Sequence, residues 1–575
     1  MLEVKDVIPF LVNKSLRRVP QSTWHTVLRT VWEIAPVIAV YLVERFKNPI
    51  VRNEVTKMVR ANPLEVVDVP EALPLFIGEK HLLLWCPVPP VIAIGFFEPR
   101  YNNEPSILQY AHRVLEQHPV DLTFFFVPQV VQALRYDKFG YVAQFILETA
   151  RISQLFCHQI IWNMKANCYK DDAAEIEDPM KPILDLMTER VVEALSGEAR
   201  DFYNLEFNFF DEVTSISGKL KPFIKRTKPE KKAKIDEEMS KINVDVGVYL
   251  PSNPDGIVVD IDKKSGRPLQ SHAKAPFMAT FKVQKERIVV DTDPELILDG
   301  NGAGTETKVK YDVWQQAIFK VGDDCRQDVL ALQVIAMFKN IFTSVGLTLY
   351  LFPYRVTATG PGCGVIDVVP NATSRDEMGR AKVNDLLDFF VAKYGGEDTV
   401  AFQRARLNFI QSMAAYSVAC YILQIKDRHN GNIMIDGEGH IVHVDFGLTN
   451  IPSLRPGGVK FEPNSFKLNH EMVVLMGGRY SQGYQLFQNL TVKAFLAIRP
   501  HAEQLISTAQ LMLDTGLPSF KGEPTIKRLR DRFALGLNER QAAEFMMSII
   551  KNAHENIRST AYDEFQRLQN GIPYK

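Results

Sequence analysis

Over residues 2–196 the apolar positions recur at helical spacing, in segments cut short by proline-containing turns. Residues 110–117, 128–134 and 142–162 carry the plainest stripes, and Pro128 opens the second, where its missing N–H is not needed. No short repeat returns at a fixed interval, so this region reads as an all-α stack of irregular helix pairs, a scaffold rather than a site. After Val246 the period shortens to that of strands, with runs at 277–283, 287–290, 315–321, 347–352 and 364–369. One helix interrupts them: Val329, Leu330, Leu332, Val334, Ile335, Phe338, Ile341 and Phe342 stripe residues 328–342, and Gly346 closes the segment. From Ala381 the pattern is helical again, except for two short strands around the turn Asp436-Gly437-Glu438-Gly439. The expected plan is α+β: helical region 1–196, linker 197–245, β-rich lobe with a connecting hinge 246–370, and helical lobe 371–575.

Length and composition fit this plan. The 575 residues are 46% hydrophobic and 23% charged, the balance of a folding chain with several cores. The 67 basic residues against 68 acidic ones leave a formal charge of -1, so composition gives no bulk attraction to nucleic acid, and any anionic partner must be met locally. One local excess exists, at Lys219, Lys221, Lys225, Arg226, Lys228, Lys231, Lys232 and Lys234, against the single acid Glu230. It reads first as a solvated linker, and second as a contact for anionic lipid worth about 1 kcal/mol per basic residue. Six widely separated cysteines with no C-x-x-C pair point to neither a disulfide framework nor a zinc ribbon, and to a reducing, cytoplasmic setting. Neither apolar run spans a membrane: residues 34–43 hold Pro36 between Glu33 and Glu44, and 82–97 hold Pro87, Pro89 and Pro90. The amino terminus shows no secretion-signal pattern.

The chemistry concentrates in Asp427-Arg428-His429-Asn430-Gly431-Asn432 and, thirteen residues after Asn432, Asp445-Phe446-Gly447. Asp427 and Asn432 have the D-x-x-x-x-N spacing of a kinase catalytic loop, and Asp-Phe-Gly is that fold's metal-binding signature. Phosphoryl transfer needs a metal clamp on the phosphates and a polar group steering the attacking hydroxyl, and hard oxygen ligands suit magnesium. Asn432 and Asp445 stand on opposite strands of one hairpin, so local structure alone can bring them together. Asp427 and His429 are candidates for the acceptor's proton, and Arg428 for orientation or transition-state charge. Upstream, Ala317-Ile318-Phe319-Lys320 is similar to the strand whose lysine holds ATP phosphates, and Asp328 opens the next helix, where a kinase keeps that lysine's acidic partner. Asp323 and Asp324 read instead as helix caps. A Walker loop, a G-x-G-x-x-G and an A-P-E ending are all missing, which sets the chain apart from orthodox protein kinases.

The order Asp427-Arg428-His429 in place of H-R-D resembles the phosphatidylinositol 3- and 4-kinase superfamily, as do residues 318–328 and Ser271-His272-Ala273-Lys274-Ala275-Pro276-Phe277. Residues 247–251, 265–270, 351–358 and 571–574 resemble the type III alpha group of phosphatidylinositol 4-kinases. The resemblance implies a bilobal, protein-kinase-like catalytic domain behind a helical-repeat accessory domain, the carboxy-terminal part of a longer chain. It implies transfer of the ATP γ-phosphoryl group to the 4-hydroxyl of phosphatidylinositol, with ATP and Mg2+ as cofactors and Mn2+ as an alternative ion. By the same resemblance Lys320 and, more loosely, Ser271 would meet the ATP phosphates. Asn432 and Asp445 would hold the metal, and Asp427 with His429 would activate the hydroxyl. Asp367, Val368 and Val369 would form the adenine hinge, Met434 and Val444 would pack under the purine, and Tyr354 and Asp328 would stand at the back.

The segment 448–467 should face the lipid headgroup, and its charge offers a separate check. Only Arg455, Lys460 and Lys467 are basic and Glu462 opposes them, which favours unphosphorylated inositol, although plain solvation explains so low a charge as well. The resemblance further implies peripheral attachment to the plasma membrane, delivery by scaffold or regulatory subunits, and a homodimer. Three rival readings share the residues: a phosphatidylinositol 3-kinase, a related protein Ser/Thr kinase, and a kinase-like scaffold without catalysis. Residue spacing does not separate the 3- from the 4-hydroxyl.

Overall fold

Prolines and short polar side chains start many of the helices, and they do so in both compact units of the chain, 1–149 and 150–575. The computed structural model describes residues 24–46, 48–76, 81–243, 247–269, 275–291, 305–426, 428–446 and 465–554. In the first unit Pro36, Pro49, Pro90 and Pro105 each stand in the first turn of a helix. Asn48 caps the Pro49–Ala61 helix, its side chain accepting from the Ile50 N–H. The proline-rich run at 82–97 becomes a 3₁₀ turn, Leu82–Leu84, and a short helix, Pro90–Gly95, in the core. Trp85 is stacked on Phe76 at 4.9 Å and donates its indole N–H to the Val69 carbonyl at 3.1 Å. The 128–134 segment is a helix over Val127–Ala133, with Pro128 second rather than first.

The long helix expected over 142–162 is broken in two, Tyr141–Ile152 and Gln154–Ala166, because the Ser153 hydroxyl accepts from the Phe156 N–H and caps the second. In the second unit a six-stranded antiparallel sheet has the order β1-β2-β3-β4-β6-β5. Its strands are β1 Val248–Leu250, β2 Asn253–Pro268, β3 Phe277–Asp291, β4 Thr305–Val321, β5 Val356–Gly360 and β6 Cys363–Asp367. The runs at 277–283 and 287–290 are therefore one strand, paired with β4 along its whole length. Phe277, Phe281 and Phe319 are fully buried, and Phe210 of the Gly197–Lys219 helix stacks on Phe319 at 6.5 Å.

The strand expected at 347–352 does not form. Leu347, Leu349, Tyr350 and Phe352 lie half-buried on the core of the helical lobe, and the Phe352 N–H donates to the Tyr416 hydroxyl at 3.2 Å instead of to a sheet neighbour. The helical lobe is built on the Val400–Leu423 helix, whose second half is buried on all sides, packed against the Gln482–Ile498 helix. A second sheet joins β7 Thr373–Ser374, β8 Ile433–Ile435 and β9 Ile441–His443. The Arg326–Ser344 helix shares that lobe's core, with Ile335 and Phe338 in one apolar cluster with Phe409, Phe487 and Phe495.

The basic run is not a single linker element. It spans the end of the Gly197–Lys219 helix, a 3₁₀ turn and the Lys228–Ser240 helix, which a Thr227–Glu230 capping box starts. Lys219 and Lys234, with Lys241, converge on Glu238 at 2.8–2.9 Å. Among the described residues no helix is long and apolar enough to cross a membrane.

Candidate active site

The β8–β9 hairpin fixes the first pair of candidate residues. Asp436 closes its turn by accepting from the Glu438 and His440 N–H groups at 2.8 and 2.9 Å. Ile433 pairs with His443, and beyond that rung the Val444 N–H donates to the Asn432 carbonyl at 3.1 Å. Asn432 and Asp445 therefore leave the same end of one hairpin. Asp445 has a left-handed backbone, φ 59°, which an aspartate tolerates better than a branched residue. Its N–H donates to the Tyr354 hydroxyl at 3.0 Å, and its carbonyl accepts from Arg428.

Arg428 is buried, and its guanidinium donates to the carbonyls of Lys426 and Val444 at 2.9 and 2.8 Å, and to Asn432 at 3.5 Å. His429 caps the short turn Asn430–Asn432, Nδ1 accepting from the Gly431 N–H at 3.0 Å. Asp427, Ser271, Arg455 and Lys460 lie outside the described residues. Lys467 does not: it is buried, and its ammonium donates to Asn430 Oδ1 at 3.4 Å, beside the catalytic loop.

Lys320 reaches the hairpin from the other lobe. It pairs with Gly364 across β4 and β6, and a Cβ at Gly364 would come within 2.5 Å of Cys325 Sγ. Lys320 Nζ lies 3.3 Å from Asp323 Oδ2 and 3.7 Å from Asp445 Oδ1. Burial pulls its pKa down, but the charges of Asp445, Asp328 and Asp323 outweigh burial and hold the ammonium above its ordinary value. Asp328 is pushed up by burial and by the Asp445 charge, with Lys320 opposing. One of its oxygens accepts from the Phe446 N–H at 2.7 Å, so the helix that carries Asp328 holds the Asp-Phe-Gly backbone directly. Tyr354 stacks on Phe446 at 6.0 Å.

In the segment expected to form the hinge, the Asp367 N–H donates to the Arg355 carbonyl at 2.9 Å, and the Val368 N–H to the Gln316 carbonyl at 3.4 Å. The Asp367 carboxylate accepts from the Ser252 hydroxyl at 2.6 Å, and burial raises its pKa. Val369 is buried, while Met434 and Val444 are partly buried with Ile318 against the same apolar cluster. The structure thus gathers Lys320, Asp328, Tyr354, Arg428, Asn432 and Asp445 through direct contacts or one shared hairpin. The all-oxygen pair of Asn432 and Asp445 has the hardness that a divalent cation such as Mg2+ selects.

Residues 314–522 match the family "Phosphatidylinositol 3- and 4-kinase", and residues 78–204 match its accessory (PIK) domain. The "Phosphatidylinositol 4-kinase alpha 2" of Arabidopsis thaliana is 41% identical over 440 residues, 75% of this chain and 78% of that protein. The chain belongs to the phosphatidylinositol 3- and 4-kinase family. The "Phosphatidylinositol 4-kinase stt4" of Schizosaccharomyces pombe is 58% identical over 562 residues, 95% of this chain and 30% of that protein. The "Phosphatidylinositol 4-kinase STT4" of Saccharomyces cerevisiae is 54% identical over 549 residues, 94% and 28% respectively. The chain spans about a third of the length of these two yeast relatives.

Within this family fold, the reading of the sequence missed one site residue and one buried neighbour of the site, Asp323 and His443. Asp323 is an ion partner of Lys320, whereas Asp324 accepts from the Arg326 N–H at 3.1 Å from one residue before the N-cap, which is Cys325 and makes no side-chain cap bond. His443 is buried against Tyr416 at 4.9 Å, and its pKa is lowered by burial and then by the charges of Arg428 and Lys467. The adjacency of two aspartates to a strand-end lysine was the available signal for the first. The second had none, since a histidine inside an apolar strand reads as core.

Proposed function

We propose that the chain transfers the γ-phosphoryl group of ATP to the 4-hydroxyl of phosphatidylinositol. The observation that carries this is the approach of Lys320 Nζ to within 3.7 Å of Asp445, on the hairpin end it shares with Asn432. In the reaction the inositol oxygen attacks the γ-phosphorus, the bond to the β-bridging oxygen breaks, and ADP leaves with that electron pair. The hydroxyl proton passes to Asp427, with His429 beside it on the loop as the other acceptor. Lys320 neutralises phosphate charge from the β-rich lobe. Arg428 acts by orientation, because its guanidinium donates to the backbone carbonyls of Lys426, Asn432, Val444 and Asp445. Asn432 and Asp445 would hold Mg2+ or Mn2+, which when bound offsets charge on the phosphates.

Val369, Met434, Val444 and Ile318 would enclose the adenine, with the Val369 N–H and the hinge carbonyls as its polar contacts. Lys467 would act near the acceptor through Asn430, and Ser271, Arg455 and Lys460 complete the phosphate and headgroup contacts. The 4-position and the lipid substrate are supported by the named activity of the relatives. A cytoplasmic enzyme attached peripherally to the plasma membrane, recruited by scaffold subunits and able to form a homodimer, completes the reading. The test is turnover of radiolabelled ATP with vesicles of phosphatidylinositol, the product isomer being resolved by headgroup chromatography. Phosphatidylinositol 4-phosphate is expected, and Asp445→Ala should abolish it with the fold intact. A 3-phosphate would overturn the ring position, peptide phosphorylation without lipid product would favour a protein kinase, and full activity in Asp445→Ala would sink the assignment.

A further inference from the structure

Residues 167–178, between the Gln154–Ala166 and Lys181–Glu193 helices, form a closed loop. Tyr169 bridges Glu177, the Lys170 N–H donates to the Ile176 carbonyl at 2.8 Å, and the Asp178 N–H donates to the Cys168 carbonyl at 2.9 Å. The loop is in contact with both lobes. At the β5–β6 turn a Cβ on Gly362, φ +60°, would lie 2.3 Å from the Asp172 carbonyl oxygen. In the helical lobe a Cβ on Gly516, φ +79°, would lie 2.7 Å from Lys170 Cβ and 3.0 Å from its carbonyl oxygen. Two left-handed glycines, one in each lobe, thus let the backbone of one loop approach. The Gly362 carbonyl in turn accepts from the N–H groups of Gly322 and Asp323, two and three residues after Lys320, at 2.6 and 2.9 Å.

Arg326 joins these three parts. It is buried, and pairs with Asp324 through Nη2 at 2.7 Å and Nε at 2.9 Å. Its remaining donors reach Asn167 Oδ1 at 3.3 Å, the Tyr169 carbonyl at 3.2 Å, the Lys170 carbonyl at 3.4 Å and, in the helical lobe, the Thr515 carbonyl at 3.3 Å. One planar fork therefore spans the accessory loop, the segment after the Lys320 strand and the helical lobe, which a lysine's point charge could not do. Two residues on is Asp328, whose carboxylate holds the Phe446 N–H. Next to Arg326, Gln327 accepts from the Ser519 hydroxyl at 3.0 Å.

We propose that residues 167–172, clamped by Arg326 and seated on Gly362 and Gly516, are a fixed brace between the lobes that sets the spacing of Lys320 and Asp445. Arg326 is then a positioning residue for phosphoryl transfer. The inference rests on the lipid-kinase reading for its activity arm only. A misplacement of about 1 Å at a reacting centre costs roughly 10²-fold in rate, so Arg326→Gln should lower kcat by about that factor while the KM for phosphatidylinositol stays within twofold. Amide exchange at Phe446 should rise in the same variant, measured on the whole chain without substrate. Arg326→Lys keeps the charge beside Asp324, and should keep near-wild-type amide protection in the Arg326–Ser344 helix yet share the kcat loss.

Gly362→Ala, which displaces the loop without touching Arg326, should reproduce both effects and stands in if the Arg326 variants do not fold. Wild-type kcat and unchanged Phe446 exchange in folded Arg326→Gln or Gly362→Ala would overturn the brace. So would full rescue of kcat by Arg326→Lys. If the wild type makes no lipid product but Phe446 exchange still rises in the variants, the functional reading falls and the brace stands.

Discussion

Glu471→Ala should be among the most damaging single changes away from the phosphate site. Arg375, the first residue of the Arg375–Arg380 helix, is 2% exposed, and its Nε lies 3.0 and 3.2 Å from the two oxygens of Glu471. Nη2 donates to the Asn384 carbonyl at 3.0 Å, whereas Nη1 is buried with no partner among the described residues. Glu471 also accepts from the Leu386 N–H at 3.3 Å and from Asn469 at 3.2 Å. The carboxylate thus ties three helix starts together: Arg375–Arg380, Leu386–Tyr394 and His470–Leu475. Its removal leaves a guanidinium in the core with one carbonyl for company, and a broken buried pair of this kind costs about 3–5 kcal/mol.

Because the chain has more than one unit, a single unfolding midpoint would mix transitions, and local opening is the better measure. Amide protection in the His470–Leu475 helix should fall by about 10²- to 10⁴-fold, which is that free energy at 1.36 kcal/mol per decade. The double variant Arg375→Met, Glu471→Leu removes both charges and should lose only about 1–2 kcal/mol, the share of the Leu386 N–H and Asn384 carbonyl left unpaired. Protection within tenfold of wild type in Glu471→Ala would refute the reasoning, as would a double variant that opens faster than the single one.

Lys320→Met should lower kcat by roughly 10²- to 10³-fold, the usual loss for one group facing transition-state charge, with the lipid KM little changed; a lysine needed only for ATP affinity would instead raise the KM for ATP at constant kcat. Glu206 is buried against His158 at 2.8 Å, and its pKa is raised by burial in spite of that partner. Above the unfolded value of about 4.3 the folded state holds more protons, so stability should fall as pH rises through the raised pKa, by up to about 1.4 kcal/mol per pH unit. Amide protection of the Gly197–Lys219 helix, corrected for intrinsic exchange and followed as pH rises from about 4.3, should show that decline in the wild type and a flatter profile in Glu206→Gln, and identical slopes would count against it. Gly439→Ala meets both φ +93° and the Ala405 Cβ and carbonyl at 2.9 Å, and should destabilise the helical lobe by about 1–3 kcal/mol, read from amide protection in that lobe.

How far the site could be read from the chain depended on how local each relation is. Asn432 and Asp445 are thirteen positions apart across hairpin and turn, so their spacing alone brought them to one end. The helix carrying Asp328 was legible from its stripe, since Ile335 and Phe338 bury at helical period. Residues 347–352 misled because alternation reports two unlike faces and says nothing of what satisfies the backbone. Here a tyrosine hydroxyl takes the N–H that a strand would have needed. The 142–162 stripe misled in the opposite way, since a helical period continues across Ser153 although the serine's own hydroxyl restarts the chain.

The relations that sequence could not show are those in which a side chain is absent. Gly362, Gly364 and Gly516 look like ordinary turn or strand glycines in the sequence, yet each marks where another segment arrives: the Asp172 carbonyl, the Cys325 sulfur and the Lys170 backbone. In the proposed brace these approaches act together with the Asp328 carboxylate and the Tyr354 hydroxyl, which hold the Phe446 and Asp445 N–H groups, to set the 3.7 Å between Lys320 and Asp445. What the local motifs supply is a lysine on one lobe and an oxygen pair on the other. The distance at which they can share a phosphate is a property of the loop and the arginine between them. On that reasoning the Gln154–Ala166 helix belongs to the reaction as much as the loop does, since Arg326 has no carbonyl from Tyr169 or Lys170 to hold if the segment after that helix is displaced.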